Sequence, residues 1–281
     1  MSAEDVSLQV LGAAGGYPYC GHACSGFLLG TDGSAPLLVD CGPGVAAKLL
    51  AGGRACDLGA VVISHMHPDH ILDLVSLGYA LMTEWISLRT RKRIPLYLPQ
   101  GGRAVFERLM ALWGHKHWVF DNTEHGPGYA ALRDVAAADR DWMFEVFEVD
   151  EFAPGDVFET AGFTVATIKA DHTPEAVCLC FDKGGKRLGY TADTRYQAAL
   201  IDFYKGCDLL IAEGHFSGSH PPGGAHMTPS EAGKLAEQSQ VKRLLLTHIA
   251  AIEDGDAALK AARAAFAGPV ELACHAAEIA L

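Results

Sequence analysis

Four side chains able to bind a metal ion, His65, His67, Asp69 and His70, fall within Ser64-His65-Met66-His67-Pro68-Asp69-His70. Neutral imidazole suits zinc and related ions, and a carboxylate among the imidazoles compensates charge. The spacing separates His65 and His67 from Asp69 and His70. One ion cannot easily gather all four, but two ions can share them. A lone loop histidine carries little information. H-x-H-x-D-H is far more specific here because of its flanks. Ala60-Val61-Val62-Ile63 reads as a buried strand, and Ile71-Leu72-Asp73-Leu74-Val75 as the first turns of a helix. The donors therefore sit in a loop at the carboxyl end of a strand.

Other polar groups stand at comparable positions. Phe163 to Ile168 is a strand that runs on to Asp171-His172. Ala176–Asp182 and Arg187–Thr191 form a hairpin that ends at Asp193. Arg243 to Thr247 is a strand ending in His248. Layered α/β folds gather reactive groups at such ends, where the framework is rigid and the loops are free. Taken singly, each is a turn aspartate or a hydrogen-bonded strand-end histidine. With the first motif they make a set of seven donors.

The elements that must position them alternate between strand and helix. Val6 to Leu11 alternates as a strand and runs into the turn Gly12-Ala13-Ala14-Gly15-Gly16. Ser25–Leu29 and Pro36–Asp40 pair around Thr31-Asp32-Gly33-Ser34, and Asp40-Cys41-Gly42-Pro43-Gly44 leads into a helix over Val45–Leu50. Ile71 to Trp85 and Val105 to Leu112 have helical spacing, with the strand Pro95-Leu96-Tyr97-Leu98 between them. Asp208–Glu213 is a strand, and Thr228-Pro229-Ser230-Glu231 starts a helix over Ser230–Gln238. Each half reads as hairpin, strand and helix, a weak internal duplication. Two packed sheets with helices outside would fit.

Composition narrows the function. The 281 residues, 49% hydrophobic, can bury one large α/β core, and the expected organisation is a single domain over 1–281. An insertion or lid is expected within about 86–150, because His115 to Asp141 gives no clear period. The net charge of −12 argues against broad binding of a phosphate backbone. Met1-Ser2-Ala3-Glu4-Asp5 is acidic and unlike a signal peptide, and no apolar run approaches the ~20 residues of a membrane helix. A soluble, cytoplasmic protein is expected. The eight scattered cysteines then read as reduced thiols. Cys178 and Cys180 should face one side of their strand, and Cys20 and Cys24 lack a second pair with zinc-finger spacing. Arg89, Arg91, Lys92 and Arg93 form a basic run, either a solvated face or a contact for an anionic substrate.

In order along the chain, Val10-Leu11-Gly12, Val39-Asp40-Cys41-Gly42-Pro43-Gly44, His65-Met66-His67-Pro68-Asp69-His70, Ala170-Asp171-His172-Thr173, Tyr190-Thr191-Ala192-Asp193-Thr194, Ala212-Glu213-Gly214-His215-Phe216, His226-Met227-Thr228-Pro229-Ser230-Glu231-Ala232 and Leu245-Leu246-Thr247-His248 resemble the metallo-β-lactamase superfamily, in its ribonuclease Z-like branch. The resemblance implies an α/β fold, the four-layer αββα sandwich, with a dinuclear site. It implies that His65, His67 and His172 hold one ion, that Asp69, His70 and His248 hold the other, and that Asp193 bridges them. In that branch a histidine and an upstream glutamate act with the metals on a phosphodiester, and the matching positions here are His226 and Glu213. His215 and His220 are close enough in sequence to compete for the role of His226.

The implied enzyme is a metal-dependent hydrolase carrying two divalent ions, with zinc the default and manganese or iron able to use the same ligands. Two such ions share a water and lower its pKa toward ~7. Asp69 would orient the nucleophile or take its proton, and His226, held by Glu213, would donate to the leaving oxygen. An arm that holds tRNA should be basic. The stretch from 115 to 160 has Gly126-Pro127-Gly128 but also Asp121, Glu124, Asp134, Asp139, Asp141, Glu145, Glu148, Asp150 and Glu151. The closer likeness is to small-substrate phosphodiesterases, including the atypical bacterial cyclic-nucleotide enzymes, to which His226-Met227-Thr228 and Gly268-Pro269-Val270 are similar. The expected substrate is a small or cyclic nucleotide, with no nucleic-acid polymer and no membrane as partner. The alternative is a lactonase, an arylsulfatase or another ester- or amide-ring hydrolase on the same ions. A non-catalytic binding module would not need all seven donors. Tyr17 and Tyr19, in the loop after the first strand, are the aromatics best placed to touch substrate, ahead of Trp85, Trp113, Trp118 and Trp142. A homodimer is expected.

Overall fold

Strands buried on both faces need apolar residues at nearly every position rather than at alternate ones, and the chain supplies two sets of them. The structure, a computed structural model, describes residues 6–31, 33–88, 92–111, 143–173, 175–216, 224–251, 253–273 and 278–281. Its strands are β1 (Val6–Gly12), β2 (Ala14–Gly15), β3 (Gly26–Thr31), β4 (Leu37–Val39), β5 (Ala60–Val62), β6 (Ile94–Pro99), β7 (Phe147–Phe152), β8 (Val157–Thr160), β9 (Phe163–Lys169), β10 (Val177–Lys183), β11 (Lys186–Tyr190), β12 (Leu209–Glu213), β13 (Leu244–Thr247), β14 (Ile249–Ala250), β15 (Val270–Leu272) and β16 (Glu278–Ala280).

Among the described residues these form two seven-stranded sheets, ordered β16-β1-β3-β4-β5-β6-β7 and β15-β13-β12-β11-β10-β9-β8, while β14 pairs with β2. Both sheets follow one pattern. From β16 to β4 the pairings are antiparallel, and from β4 to β7 parallel. From β8 to β11 they are antiparallel, and from β11 to β15 parallel. The weak duplication in the sequence is thus a duplication of sheet topology.

Side-chain alternation sorts the apolar residues into three layers of core. Leu8, Val10, Phe27, Leu29, Val39 and Val62 of the first sheet meet Val165, Leu179, Phe181, Tyr190, Ile211 and Leu245 of the second. The opposite face of the first sheet, with Leu38, Val61 and Leu96, packs on Leu74, Leu77, Leu81 and Phe106 of its helices. The opposite face of the second, with Cys178, Cys180, Leu210 and Leu246, packs on Leu200, Leu235, Ala236 and Ala262. Three cores between four layers make the αββα sandwich. Each fully buried aliphatic or aromatic side chain contributes about 1.5–3 kcal/mol. Cys178 and Cys180 share one face, as their alternation requires. No helix among the described residues is long and apolar enough to cross a membrane.

The structure adds three details to the sequence reading. The helix expected over Ile71–Trp85 is split into Pro68–Ile71 and Leu74–Leu88. At the break the Asp73 N–H donates to the Cys41 carbonyl, outside the helix, and the Asp73 Oδ2 accepts from the backbone N–H groups of Gly44 and Ala46 at 2.8 and 2.9 Å. It thereby satisfies the start of the helix Val45–Gly52, where Gly44 has no side chain to cap it. Second, within the span 86–150 the expected strand and helix form as β6 and Gly102–Ala111, and further parts of the first layer stand beside them. The described segments of that span are β6, β7, the helices Gly102–Ala111 and Met143–Val146, and the end of Leu74–Leu88. Residues 112–142, with Gly126-Pro127-Gly128, Trp113, Trp118 and Trp142, lie outside the described residues. Third, the basic run serves the fold where it is described. Lys92 Nζ donates to the carbonyls of Cys56 and Leu58, and Arg93 donates to those of Phe144 and Phe147. Arg89 and Arg91 lie outside the described residues.

The short helix carrying Asp69 and His70 is clamped onto the turn after β4. Cys41 N donates to the His70 carbonyl at 2.8 Å, and Asp73 N donates to the Cys41 carbonyl at 3.0 Å. Gly42 makes this approach feasible, because a Cβ there would lie 1.9 Å from the Asp69 carbonyl oxygen. Gly42→Ala must therefore push the two segments apart. It should lower stability by about 1–3 kcal/mol, the usual cost of overpacking. A Cβ on Gly52 meets nothing within 4 Å, so Gly52→Ala should be neutral or slightly stabilising. Thermal or denaturant melts of the two variants check the contrast.

Candidate metal centre

Five strand ends deliver the site. His65 follows β5, His172 follows β9, Asp193 follows β11, Glu213 is the last residue of β12, and His248 follows β13. Ala192 and His248, at two of these ends, have positive φ of 49° and 57°, and so does Asp40, at 58°, just past β4. Such conformations cost of order 1–3 kcal/mol each and persist only where the surroundings impose them. Here each lies in the short turn that brings a donor group inward.

His65, His67, His172 and Asp193 form one group of donors, and Asp69, His70, Asp193 and His248 a second. In the first, His65 Nε2 and His172 Nε2 each lie 3.1 Å from His67 Nδ1. Asp193 Oδ2 lies 3.7 Å from His65 Nε2 and 3.8 Å from His172 Nε2. In the second, His248 Nε2 is 3.1 Å from Asp69 Oδ2 and 3.4 Å from Asp193 Oδ2. His70 Nε2 is 3.7 Å from Asp69 Oδ2 and 3.5 Å from Asp193 Oδ1. Asp193 belongs to both groups, with one oxygen beside each of His70 and His248. All seven residues singled out in the sequence are brought together.

Hydrogen bonds on the far sides of the rings fix which nitrogens face the centre. Ser64 Oγ donates to Asp40 Oδ2, so its lone pair faces His65 Nδ1 at 3.1 Å and accepts that proton. His70 Nδ1 donates to Asp40 Oδ2 at 2.7 Å, and His172 Nδ1 donates to the Ala225 carbonyl at 2.9 Å. The Nε2 atoms of His65, His70 and His172 are then bare lone pairs. His67 Nδ1 carries at most one proton, so it cannot satisfy both His65 and His172. His70 Nε2 and Asp193 Oδ1 are buried without a hydrogen-bond partner. Converging lone pairs of this kind fit cations. The separations match too, because a tetrahedral zinc with bonds of ~2.0–2.1 Å has ligand edges of roughly 3.3 Å.

Electrostatics point the same way. Burial, then the neighbouring His70, drives the His65 imidazolium well below the usual histidine range, and burial also lowers His67 and His172. These rings are therefore neutral. Burial alone would raise Asp193, but His248 and His70 hold its carboxyl well below the usual range. Asp69 is likewise lowered, burial being outweighed by the His248 hydrogen bond and by His70. Burial opposes protonation of His70, yet Asp193 and Asp40 raise it well above its usual value. A positive charge between the carboxylates is favoured, and a metal ion supplies it without protonating a ligand.

Beside the two groups stands a pair outside the seven. His226 Nδ1 lies 3.0 Å from Glu213 Oε2 and 3.9 Å from Asp193 Oδ2. Glu213 is fully buried and also accepts from Thr194 N. Burial depresses the His226 imidazolium to about 4, and burial with the Asp193 charge raises the Glu213 carboxyl well above its usual range. His215 stacks on His226, with ring centroids 4.3 Å apart and planes at 18°. His220 lies outside the described residues.

The aromatic pair divides. Tyr19 OH donates to the Ile249 carbonyl at 3.3 Å, which ties its ring to β14. Tyr17 is 56% exposed and follows Gly16, whose N–H donates to Asp69 Oδ2 at 2.9 Å. Trp85 is a core residue, its indole N–H donating to the Lys92 carbonyl. Cys20 is exposed and Cys24 buried, and burial with Asp69 and Asp73 pushes the Cys24 thiol up to about 12.

The sequence reading missed the groups that orient the donors. Asp40 is the main one. It accepts from Ser64 N, Ser64 Oγ, His70 Nδ1 and Tyr190 OH, all at 2.7–2.8 Å. The signal was present, since Asp40 ends an apolar strand just as His65 and Asp193 do. Tyr190, Ser64 and the Ala225 carbonyl carry no such signal.

Residues 36–249 match the family described as the beta-lactamase superfamily domain. The probable metallo-hydrolase YhfI of Bacillus subtilis (strain 168) is 30% identical over 269 residues, covering 95% of this chain and 97% of that protein. A ribonuclease Z of Streptomyces avermitilis is 28% identical over 305 residues, covering 92% of this chain and 91% of that protein. The crystal structure of the metallo-beta-lactamase fold protein YhfI from Bacillus subtilis superposes with a TM-score of 0.81 at 26% identity, over 99% of this chain and 100% of that one. The family match takes in most of the chain, so the chain belongs to the metallo-β-lactamase superfamily, as a hydrolytic enzyme.

Proposed function

We propose that this hydrolase is a dinuclear phosphodiesterase acting on a small or cyclic nucleotide. In this reading His65, His67 and His172 hold one divalent ion, Asp69, His70 and His248 the other, and Asp193 is shared. The nitrogen and oxygen donors suit zinc first, with manganese or iron able to use the same set. When bound, the ions supply an activated water and neutralise the charge that develops at phosphorus.

The observation that carries the reading is the Glu213–His226 pair. His226 stands next to Asp193 but outside the seven donors, and Glu213 occupies its Nδ1 edge at 3.0 Å. Its Nε2 edge is then the one offered to a leaving oxygen. The water oxygen bonds to phosphorus, the bond from phosphorus to the leaving oxygen breaks, and His226 Nε2 gives its proton to that oxygen. The Glu213 carboxyl, whose protonated form burial and the Asp193 charge favour, meanwhile passes its own proton to Nδ1, so the imidazole stays neutral. Asp69, kept ionised, orients the attacking water and takes its proton. Tyr17, exposed beside the Gly16–Asp69 contact, would stack on a nucleobase.

Two features favour a small substrate over a long RNA. The net charge is −12, and Glu148, Asp150 and Glu151 are exposed on β7, at an edge of the first sheet. Such a surface repels a phosphate backbone. The name of the Streptomyces relative, a ribonuclease, supports phosphodiester cleavage as the reaction class.

His226→Ala should fold and keep its ions while turnover of a cyclic nucleotide falls by ~10²–10⁴, the range of a removed general acid. With bis(p-nitrophenyl) phosphate the loss should shrink, because nitrophenolate departs without a proton. Equal losses on both substrates would remove the acid role. Wild-type enzyme that hydrolyses lactones or aryl esters and no phosphodiester would put the ring-ester alternative in its place. Asp193→Ala should bind fewer than two ions per chain by elemental analysis after zinc reconstitution, and its turnover should fall with them. Two tightly held ions in that variant would rule out Asp193 as the shared ligand.

A further inference from the structure

We propose that His215 is a positioning residue that sets the tautomer of His248, and so decides whether the His248 Nε2 that faces the second donor group is a bare lone pair. The inference rests on the dinuclear reading above. Three of the donor imidazoles face an oxygen on their far side: Ser64 Oγ for His65, Asp40 for His70 and the Ala225 carbonyl for His172. His248 differs. Its Nδ1 faces another imidazole nitrogen, His215 Nδ1, at 3.1 Å. An oxygen acceptor dictates where the imidazole proton sits, whereas a second imidazole offers two arrangements.

In the first arrangement His215 Nδ1–H donates to the His248 carbonyl, 3.2 Å away. His248 Nδ1 is then bare, and its proton sits on Nε2, donated to Asp69 Oδ2 at 3.1 Å. That form presents no lone pair to a cation. In the second arrangement His248 Nδ1–H donates to His215 Nδ1. The His215 proton then sits on Nε2, and His248 Nε2 is a bare donor facing Asp69 and Asp193. Filling the second position requires this second arrangement, so it requires an acceptor at His215 Nδ1.

Packing holds the two rings in register. Ala250 N donates to the His215 carbonyl, and β14 pairs with β2 so that Gly15 lies opposite Ala250. A Cβ on Gly15 would lie 2.9 Å from His215 Nδ1 and 3.1 Å from His248 Nδ1. On its other face His215 stacks on His226. A ring at position 215 is thus supported from two sides, and its Nδ1 is directed at His248.

The test is a zinc titration against a chromophoric chelator, on full-length wild type, His215→Phe and His215→Asn. Phenylalanine keeps the stacked ring and removes the acceptor. Asparagine gives up the ring and places an amide oxygen near the position of Nδ1. His215→Phe should weaken the second zinc equivalent by ~10–100-fold, the usual effect of losing an outer-shell partner, with the first equivalent unchanged. His215→Asn should recover most of that loss. Long-range ¹H–¹⁵N spectra of zinc-loaded wild type should find His248 protonated at Nδ1 and His215 at Nε2. Wild-type affinity for both ions in His215→Phe, equal losses in the two variants, or a His215 protonated at Nδ1 in the loaded protein would each overturn the proposal. A wild-type protein that takes up fewer than two zinc ions would overturn the dinuclear reading, and this inference with it.

Discussion

The Asp193 carboxylate is only 2% exposed and lies between imidazoles from both halves of the chain. Its Oδ2 is 3.4 Å from His248 Nε2, 3.7 Å from His65 Nε2 and 3.8 Å from His172 Nε2, while Oδ1 is 3.5 Å from His70 Nε2. A buried, ionised carboxylate is expensive unless positive charge or hydrogen-bond donors surround it. With Asp69 ionised nearby, the site holds two carboxylates, and cations are the chemistry that satisfies them together. Most other features of the site follow from keeping these groups close without letting them collapse onto one another.

Rigidity comes from a second buried carboxylate that faces away from the centre. Asp40 gathers donors from Ser64, His70 and Tyr190. Ser64 and His70 belong to the segment that follows β5, and Tyr190 belongs to the other sheet. One side chain therefore orients the rings of the first half and ties them to the strand that delivers Asp193. The Tyr190 ring also packs in the core between the sheets, edge-on to Phe27. Apolar packing and polar orientation meet in one residue.

The duplicated topology accounts for the shape of the site. Each sheet turns from antiparallel to parallel at its fourth strand, β4 in one and β11 in the other. The chain leaves these strands at Asp40 and at Ala192-Asp193, with positive φ at Asp40 and Ala192. Packing the sheets face to face brings the two turns together. One aspartate orients ligands, and the other joins the two donor groups.

Local patterns determined a good deal. Apolar runs of strand length, hairpin turn chemistry and the Thr228–Glu231 capping box specify elements within a few residues of where they form. The clustering of four donors in His65–His70, joined to strand-end placement, pointed to His65, His67, Asp69, His70, His172, Asp193 and His248, because strand ends are where buried frameworks can present polar groups. What sequence could not determine depends on approach between distant segments. Asp73 breaks an otherwise continuous helical pattern because the Cys41 carbonyl takes its N–H, while its carboxylate serves another helix 27 residues away in sequence. Lys92 and Arg93 turn to backbone carbonyls of distant segments. Tyr17 and Tyr19 look alike in sequence, yet only Tyr19 finds a carbonyl on β14. Asp40 and His215 acquire their roles from rings that lie far off along the chain. Periodicity and motif order reach only as far as hydrogen bonds within an element, whereas the tautomer of an imidazole is set by whichever acceptor the folded chain places on its far side.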